Sequence, residues 1–370
     1  MNHNLLEYSA VVLPCYCPDE RVSKHVKALL DAGFGKIIVI DDGSGEIYQK
    51  EFDKLPIDER VVLLQYTPNA GKGVALKTGY KYISEHCKDI TTIITADSDG
   101  QHTVSDTVGL ANALNTNPNN LWLGTRDFSL PHVPPKSRFG NKLTSFIFAL
   151  LYGKKIQDTQ TGLRAFNRKW LDKMINVLGE RYEYEMNVLI ECAKSDIDIS
   201  QFTIQTVYEN NNEGSHFNAI KDSYKIYKVI LGGFFRFAST AIICFILDYS
   251  LYLIFNNTFK NIENFNSNFN FFFLQIMPHV LFATVLARII SGTVNYSLNK
   301  KYVFKNKSTI KTSASKYLLV FIMVMLLSAG LTSSLHIWLN LNENYVKIPV
   351  DIFLFMCNYY IQKNWVFKTK

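Results

Sequence analysis

The sequence predicts an α/β domain with a parallel sheet over residues 1–228, joined to an all-α domain of four transmembrane helices over residues 229–370. Three observations carry this. Along the first 130 residues, short and almost continuously apolar runs alternate with amphipathic stretches. Strands buried on both faces, and the helices that cover them, read in this way. From about Phe234 the charges thin out, and apolar runs follow at Phe237–Phe255, Phe271–Leu298, Tyr317–Leu341 and Val346–Ile361. Each is close to the roughly 20 residues that cross a bilayer as a helix. The mean hydropathy of the whole chain is near zero because these two halves offset each other.

Strands are expected at Tyr8–Pro14, Lys36–Ile40, Val61–Tyr66, Thr91–Ala96 and Leu121–Gly124, and helices at Val22–Ala32, Val74–His86 and Val104–Asn115. Ligands of such sheets bind beyond the carboxyl ends of the strands, so the residues directly after each strand are the candidates. The second strand leads into Asp41-Asp42-Gly43-Ser44, whose carboxylates accept hydrogen bonds either from a ribose or base or from a polar turn. The third leads into NAGKGVALKTGY, Asn69 to Tyr80, a glycine-rich opening to a helix with Lys72 beside it. It suits an anion at a helix N-terminus, although it lacks P-loop spacing. The fourth leads into ADSDGQH, where Asp97, Asp99 and Gln101 put oxygen-bearing side chains at alternate positions. That pattern suits a hard cation, Mg²⁺ or Mn²⁺, which leaves positions for substrate phosphates. Taken alone, it also reads as a solvated turn with Asp97 as a helix cap.

In this order VVLPCYCPDE, IIVIDDGSG, NAGKGVALKTGY, ADSDGQH, LGTR and DTQTGLRAF resemble the Rossmann-like GT-A domain of glycosyltransferase family 2, in its dolichyl- and polyprenyl-phosphate sugar synthase branch. The resemblance spans about residues 8–215. It implies that Pro14, Asp41 and Asp42 line a nucleotide pocket, with Lys72 and Ser98 beside the donor. It implies that Asp97, Asp99 and Gln101 hold the divalent ion against the donor diphosphate. Arg126 and Arg138 would engage the acceptor phosphate, with Lys142 (usually a serine) and Arg164 as further cations. Asp158 is often cast as the base of this family. A phosphate monoester with a second pKa of about 6 is already an anionic nucleophile, so Asp158 is expected to orient the acceptor or its neighbouring cations. Cys17-Pro18 departs from the usual Asn-Glu or Asn-Pro, and Ser98 from a common alanine, without removing a carboxylate. Ala165 follows Arg164 where processive synthases carry tryptophan in Q-x-x-R-W, so transfer of a single sugar is expected. Glu183 and Glu185 match a family acidic position loosely and read equally as a solvated helix face. His216 reads as a diphosphate contact or as an exposed loop residue.

Downstream of Arg126, the apolar stretch Ser137–Tyr152 is too short to span a bilayer and reads as an interfacial helix or a core helix. In the second half, NYSLNKKYVF at 295–304 and NYYIQKNWVF at 358–367 repeat each other, each closing a span. The spans therefore read as a duplicated pair and resemble the GtrA-like membrane family over about residues 232–368. Asp248, Arg288 and Asp351 fall within spans, where charge is expensive, and Arg288 is expected to pair with Asp248 or Asp351. Lys300, Lys301, Lys305, Lys307, Lys311 and Lys316 fill the loop between the second and third spans, and Lys363, Lys368 and Lys370 follow the last. The other two loops are nearly neutral. This asymmetry puts the soluble domain and both termini in the cytoplasm.

The net charge of +7 comes largely from these flanks and points to anionic lipid rather than nucleic acid. Met1–Glu7 is polar, so no cleavable signal is expected. The six cysteines are scattered, which excludes a zinc-finger or disulfide framework and fits a reduced compartment. Together these readings predict a metal-dependent, inverting glycosyltransferase. It would move one sugar from a UDP- or GDP-linked donor to polyprenyl phosphate for cell-surface glycans. The rival reading is a translocase or anchor for lipid-linked sugars whose soluble domain only binds its cargo. Self-association into a homo-oligomer is compatible with both.

Overall fold

The computed structural model describes residues 3–131, 133–195, 197–205, 221–262, 269–271, 274–276, 278–304, 306, 309–339, 341 and 343–367. His216, Lys305, Lys307, Lys368 and Lys370 lie outside the described residues. The chain divides into two compact units, Met1–Ile230 and Leu231–Lys370.

The first unit begins with α1 (His3–Glu7), β1 (Ser9–Cys15), α2 (Arg21–Asp31), β2 (Lys36–Asp42), α3 (Gln49–Phe52) and β3 (Val61–Tyr66). It continues through α4 (Lys72–His86), β4 (Thr92–Thr95), α5 (Val104–Thr116), β5 (Leu121–Arg126) and α6 (Pro135–Tyr152). It ends with β6 (Arg164–Asn167), α7 (Leu171–Asn176), α8 (Glu183–Lys194), β7 (Ile199–Ile204) and the start of α9 (Lys221–Lys260). Ala10–Leu13 and Ile37–Ile40 are wholly buried, as strands covered on both faces by helices must be.

The seven strands lie in the order β3-β2-β1-β4-β6-β5-β7. β1 pairs in parallel with β2 on one side and β4 on the other, so the strand order reverses there and opens a crevice beyond their carboxyl ends. The sheet is mixed and not parallel throughout as the sequence predicts, because β6 runs antiparallel to both β4 and β5. The loop before β6 crosses the carboxyl ends of β4 and β5, where Thr95 Oγ1 donates to Gly162 O at 2.7 Å and Arg126 meets Asp158. The chain therefore enters the sheet from the far end.

One face of α6 buries Thr144, Phe148 and Leu151. It is tied to the start of α9 by the Thr144–Tyr227 hydroxyl pair at 3.0 Å and by Tyr152 OH donating to Ile230 O at 3.1 Å. Phe139, Leu143, Phe146 and Leu150 form an exposed apolar stripe on the other face, at helical spacing.

In the second unit α9 is followed by a short hairpin, β8 (Phe269–Phe271) with β9 (Leu274–Ile276), then α10 (Pro278–Leu298), α11 (Ile310–Leu339) and α12 (Glu343–Ile361). The second apolar run becomes helical at Pro278 rather than Phe271 because the hairpin occupies its start. Within the apolar stretches, Arg288 Nε meets Asp248 Oδ2 at 3.2 Å and Ser291 donates to Oδ1 at 2.7 Å.

The two copies of the repeat adopt the same local form. Each ends in a π-helical turn, Asn299–Val303 and Gln362–Val366, closed by Phe304 N–H to Asn299 O and Phe367 N–H to Gln362 O. Asn299 Nδ2 donates to Gln362 Oε1 at 3.1 Å across the pair. Each amide also bonds the asparagine one turn earlier in its own helix, Asn295 at 2.7 Å and Asn358 at 2.9 Å. Thr240 adds a hydrogen bond to Asn299, and the Phe304 and Phe367 rings stack at 5.1 Å. Asn299 and Gln362 are buried, so their amides must be satisfied by one another. Asn299→Ala or Gln362→Ala is expected to lower the thermal unfolding midpoint of the detergent-solubilised protein, each costing roughly 1–2 kcal/mol. The double variant should cost less than the sum, because both changes break the same bond.

Candidate active site

A cleft of about 490 Å³ opens at the carboxyl ends of β1, β2 and β4, where the strand order reverses. Pro14 to Asp19 with Arg21 and Val22 form one wall, Asn69, Gly71 and Lys72 another, Asp97, Ser98 and Asp99 the floor, and Arg181 with Tyr182 the lip.

The β3–α4 loop is fixed from β2. Asp42, buried at the end of that strand, accepts from Ala70 N–H at 2.8 Å, Gly71 N–H at 2.9 Å, Asn69 Nδ2 at 3.0 Å and Tyr66 OH at 2.8 Å. Gly71 has φ of +102°, and a Cβ there would meet Arg181 Cγ and Glu180 O. No other residue fits. Asp42 lines the cleft as expected, but its oxygens are occupied by the loop. Asp41 does not line it, contrary to the sequence reading. Its oxygens accept from Ser44 N–H at 2.9 Å and Gln65 Nε2 at 3.2 Å, because a buried turn needs its amides satisfied.

The loop delivers Lys72 to the centre of the site. Its Nζ lies 2.6 Å from Asp97 Oδ1 and 2.9 Å from Glu185 Oε1. Burial pushes the Lys72 ammonium down, but the two carboxylates outweigh it and hold the group above its ordinary value. Burial likewise pushes Asp97 up, but Lys72 above all, with Arg126 adding to it, holds that carboxyl well below the ordinary range. Asp97 also lies against Gly162, where any Cβ would overlap its carboxylate. Its backbone N–H donates to His102 Nδ1 at 3.0 Å, which makes that nitrogen an acceptor, and burial lowers the imidazole pKa.

Asp99 has no such compensation. Burial first, and then the charge of Asp97, raise its carboxyl above the ordinary value. Gln101 donates its backbone N–H to Asp99 Oδ1 at 3.0 Å, and it is not among the residues lining the cleft. Its backbone thus fixes the turn, and its expected service as a third oxygen ligand rests on a side chain outside the cleft lining. The donor set fits a divalent cation nonetheless. Two carboxylates on the cleft floor, one of them burdened by burial and by its neighbour, are the protein's share of a site that substrate phosphates complete.

Beyond the floor, Arg126 Nε meets Asp158 Oδ2 at 2.7 Å and its Nη2 meets Oδ1 at 3.2 Å, a bidentate pair. Asp158 is fully buried and accepts also from Gln160 N–H at 3.1 Å. It holds Arg126 rather than facing the cleft. Arg164, read as an acceptor-phosphate cation, is buried and donates to Thr161 O at 2.9 Å, Glu185 O at 2.7 Å and Thr159 O at 3.5 Å. Carbonyls take its guanidinium, so it braces the loop and the backbone of Glu185. Arg138 and Lys142 sit on α6. Arg138 Nη2 donates to Leu130 O at 2.9 Å, while its buried Nε has no partner among the described residues, and Lys142 is exposed.

His102, Arg181 and Tyr182 escaped the sequence reading as members of this site, and Glu185 was left open between a family acidic position and a solvated helix face. Glu183 and Glu185 are alternate residues in EYE, and only the packing of α8 turns Glu185 toward Lys72.

A crevice of this kind, at the strand-order reversal of a mixed α/β sheet with a carboxylate pair on its floor, is the architecture of a GT-A-type fold. Residues 10–175 match the family model of glycosyl transferase family 2, and residues 236–367 that of the GtrA/DPMS transmembrane domain. The chain thus carries a family 2 glycosyl transferase domain followed by a GtrA/DPMS transmembrane domain. An uncharacterised protein of Methanocaldococcus jannaschii is 29% identical over 225 residues, 60% of this chain and 90% of that one. UDP-N-acetylglucosamine–dolichyl-phosphate N-acetylglucosaminyltransferase of Methanococcus voltae is 28% identical over 215 residues, 54% of this chain and 85% of that one. Glucosyl-3-phosphoglycerate synthase of Mycobacterium tuberculosis, a solved structure, is 16% identical over 63% of this chain and 84% of its own, with a TM-score of 0.45.

Asp99 gives a stability test. Its folded-state pKa is raised, so the folded protein binds its proton more tightly than the unfolded chain, and stability falls as pH rises through that interval. Asp99→Asn is expected to raise the thermal midpoint at neutral pH by a few degrees. The gain should vanish in acid below the ordinary aspartate pKa of about 3.9, where the wild-type group is protonated in both states.

Proposed function

We propose that this chain moves one sugar from a UDP- or GDP-linked donor to a polyprenyl phosphate at the cytoplasmic face of the membrane, inverting the anomeric centre, for cell-surface glycans. The observation that carries the reading is the charge arrangement. Asp97 is neutralised by Lys72, Asp99 is left uncompensated beside it, and the Arg126–Asp158 pair stands close enough for Arg126 to act on Asp97. A donor site and a cation for an acceptor anion are thus neighbours. The exposed stripe of α6 suits the membrane surface from which a lipid acceptor would arrive. The Methanococcus voltae relative, named as acting on dolichyl phosphate, supports the same acceptor class.

Mg²⁺ or Mn²⁺ held by Asp97 and Asp99 would supply positive charge against the donor diphosphate. The remaining work falls to this chain's own residues. Lys72 keeps Asp97 ionised and in place. Arg126, oriented by Asp158, offers its guanidinium to the lipid phosphate, with Arg138 and Lys142 as further cations. A phosphate oxygen forms the new bond to the anomeric carbon while the bond to the donor's β-phosphate oxygen breaks, and UDP or GDP departs. An α-linked donor gives a β-linked product. The acceptor needs no base because it is already ionised near neutral pH. Residues 1–228 would carry this chemistry, and residues 229–370 would anchor it with both termini in the cytoplasm.

Membranes holding the protein, given polyprenyl phosphate and each UDP- and GDP-sugar in turn, should yield one product heavier than the acceptor by a single sugar. Asp99→Asn should reduce its rate by about 10²-fold or more. No product from any donor, with sugar-lipid binding retained, would favour a translocase or anchor.

A further inference from the structure

We infer that Arg181 grips the donor's diphosphate, an assignment that rests on the proposed transfer from a nucleotide sugar. It follows from a census of the charged groups lining the cleft. Asp42 is filled by the amides of the β3–α4 loop. Arg21 is held by Asp19, with Nη2 to Oδ2 at 2.7 Å and Nε at 3.0 Å from both oxygens. Lys72 is divided between Asp97 and Glu185. Arg181 differs. Its backbone N–H donates to Glu183 Oε1 at 3.3 Å, but among the described residues no carboxylate or carbonyl takes its guanidinium. The cleft therefore presents one uncompensated carboxylate on its floor, Asp99, and one uncommitted guanidinium at its lip.

The guanidinium is directed as well as uncommitted. Its stem is pressed against the Gly71 backbone, where an added Cβ would come 2.6 Å from Arg181 Cγ. The loop that sets Lys72 therefore sets the base of the Arg181 side chain too. Across the opening stands Tyr16, whose phenol is pushed up first by Cys17 while the charge of Arg181 acts in the opposite direction. Arg181 and Tyr16 thus line the same cleft, near enough for the guanidinium charge to be felt at the phenol. A guanidinium fork matches two phosphate oxygens at once, and a nucleoside without phosphates offers it nothing comparable.

The test compares wild-type full-length protein in detergent with Arg181→Gln and Arg181→Lys, by calorimetric titration of UDP and GDP with Mn²⁺ and of uridine and guanosine alone. Arg181→Gln is expected to weaken binding of the preferred diphosphate by about 10- to 100-fold. Nucleoside binding, the thermal midpoint and the KM for polyprenyl phosphate should stay unchanged, and Arg181→Lys should recover part of the loss. An unchanged diphosphate Kd overturns the assignment. So does an equal loss of nucleoside binding, or a loss confined to the KM of the lipid acceptor. Wild-type protein that binds neither UDP nor GDP overturns the transfer reading itself and this inference with it.

Discussion

The position of the Lys72 ammonium between Asp97 and Glu185 is the constraint on which the site depends. An isolated buried aspartate would take up a proton rather than stay charged. Here a single cation, introduced at the first turn of α4, keeps Asp97 ionised at the end of β4. Its placement is inherited through the backbone: β2 ends in Asp42, Asp42 holds the Asn69–Gly71 amides, and Gly71 admits the close packing of Arg181 and Glu180. On the other side of Asp97, Gly162 leaves room for its carboxylate, and the same loop carries Asp158 to Arg126. Strand ends, cleft and the Arg126–Asp158 pair are thereby one mechanically linked set.

The second unit solves a related problem with neutral groups. Two helices that end alike must pack without exposing polar termini to an apolar surround. The paired amides of Asn299 and Gln362, each also tied to an asparagine of its own helix, satisfy one another at the junction of the repeats. The π-helical turns put these side chains inside, and the Phe304–Phe367 stack covers them. A polar contact of this kind favours one register over its neighbours, since a slip would leave buried amides without partners.

Much of the first unit was legible in the sequence because β1 to β5 are apolar runs with helices between them. β6 was not, since four residues after a glycine carry no periodicity, and its direction is set by a loop that crosses the strand ends. β7, with Ser200, Gln201 and Thr203 among its residues, reads as polar because it lies at the sheet edge. In the site, the placing of Asp97 and Asp99 in one cleft was legible from spacing, and α6 was legible as a short apolar helix, though not which of its faces is exposed. Arg164 was misread because a basic residue in a motif signals a ligand equally well when it serves buried carbonyls. Asp41 was misread for the matching reason, as an acid that serves a turn. Arg181 carries no signal until the loop before α8 is folded against α4, and Glu185 cannot be told from Glu183 until α8 is packed.

The central claim is that Lys72 keeps Asp97 ionised and in place beside Asp99, so that both carboxylates are available to a divalent cation. Titration of Mn²⁺ into nucleotide-free protein, read by electron paramagnetic resonance, tests this directly when wild type is compared with Lys72→Met. The account predicts weaker Mn²⁺ binding in Lys72→Met than in wild type, because Asp97 without its ammonium partner takes up a proton and no longer joins Asp99. Equal or tighter binding in Lys72→Met would contradict it.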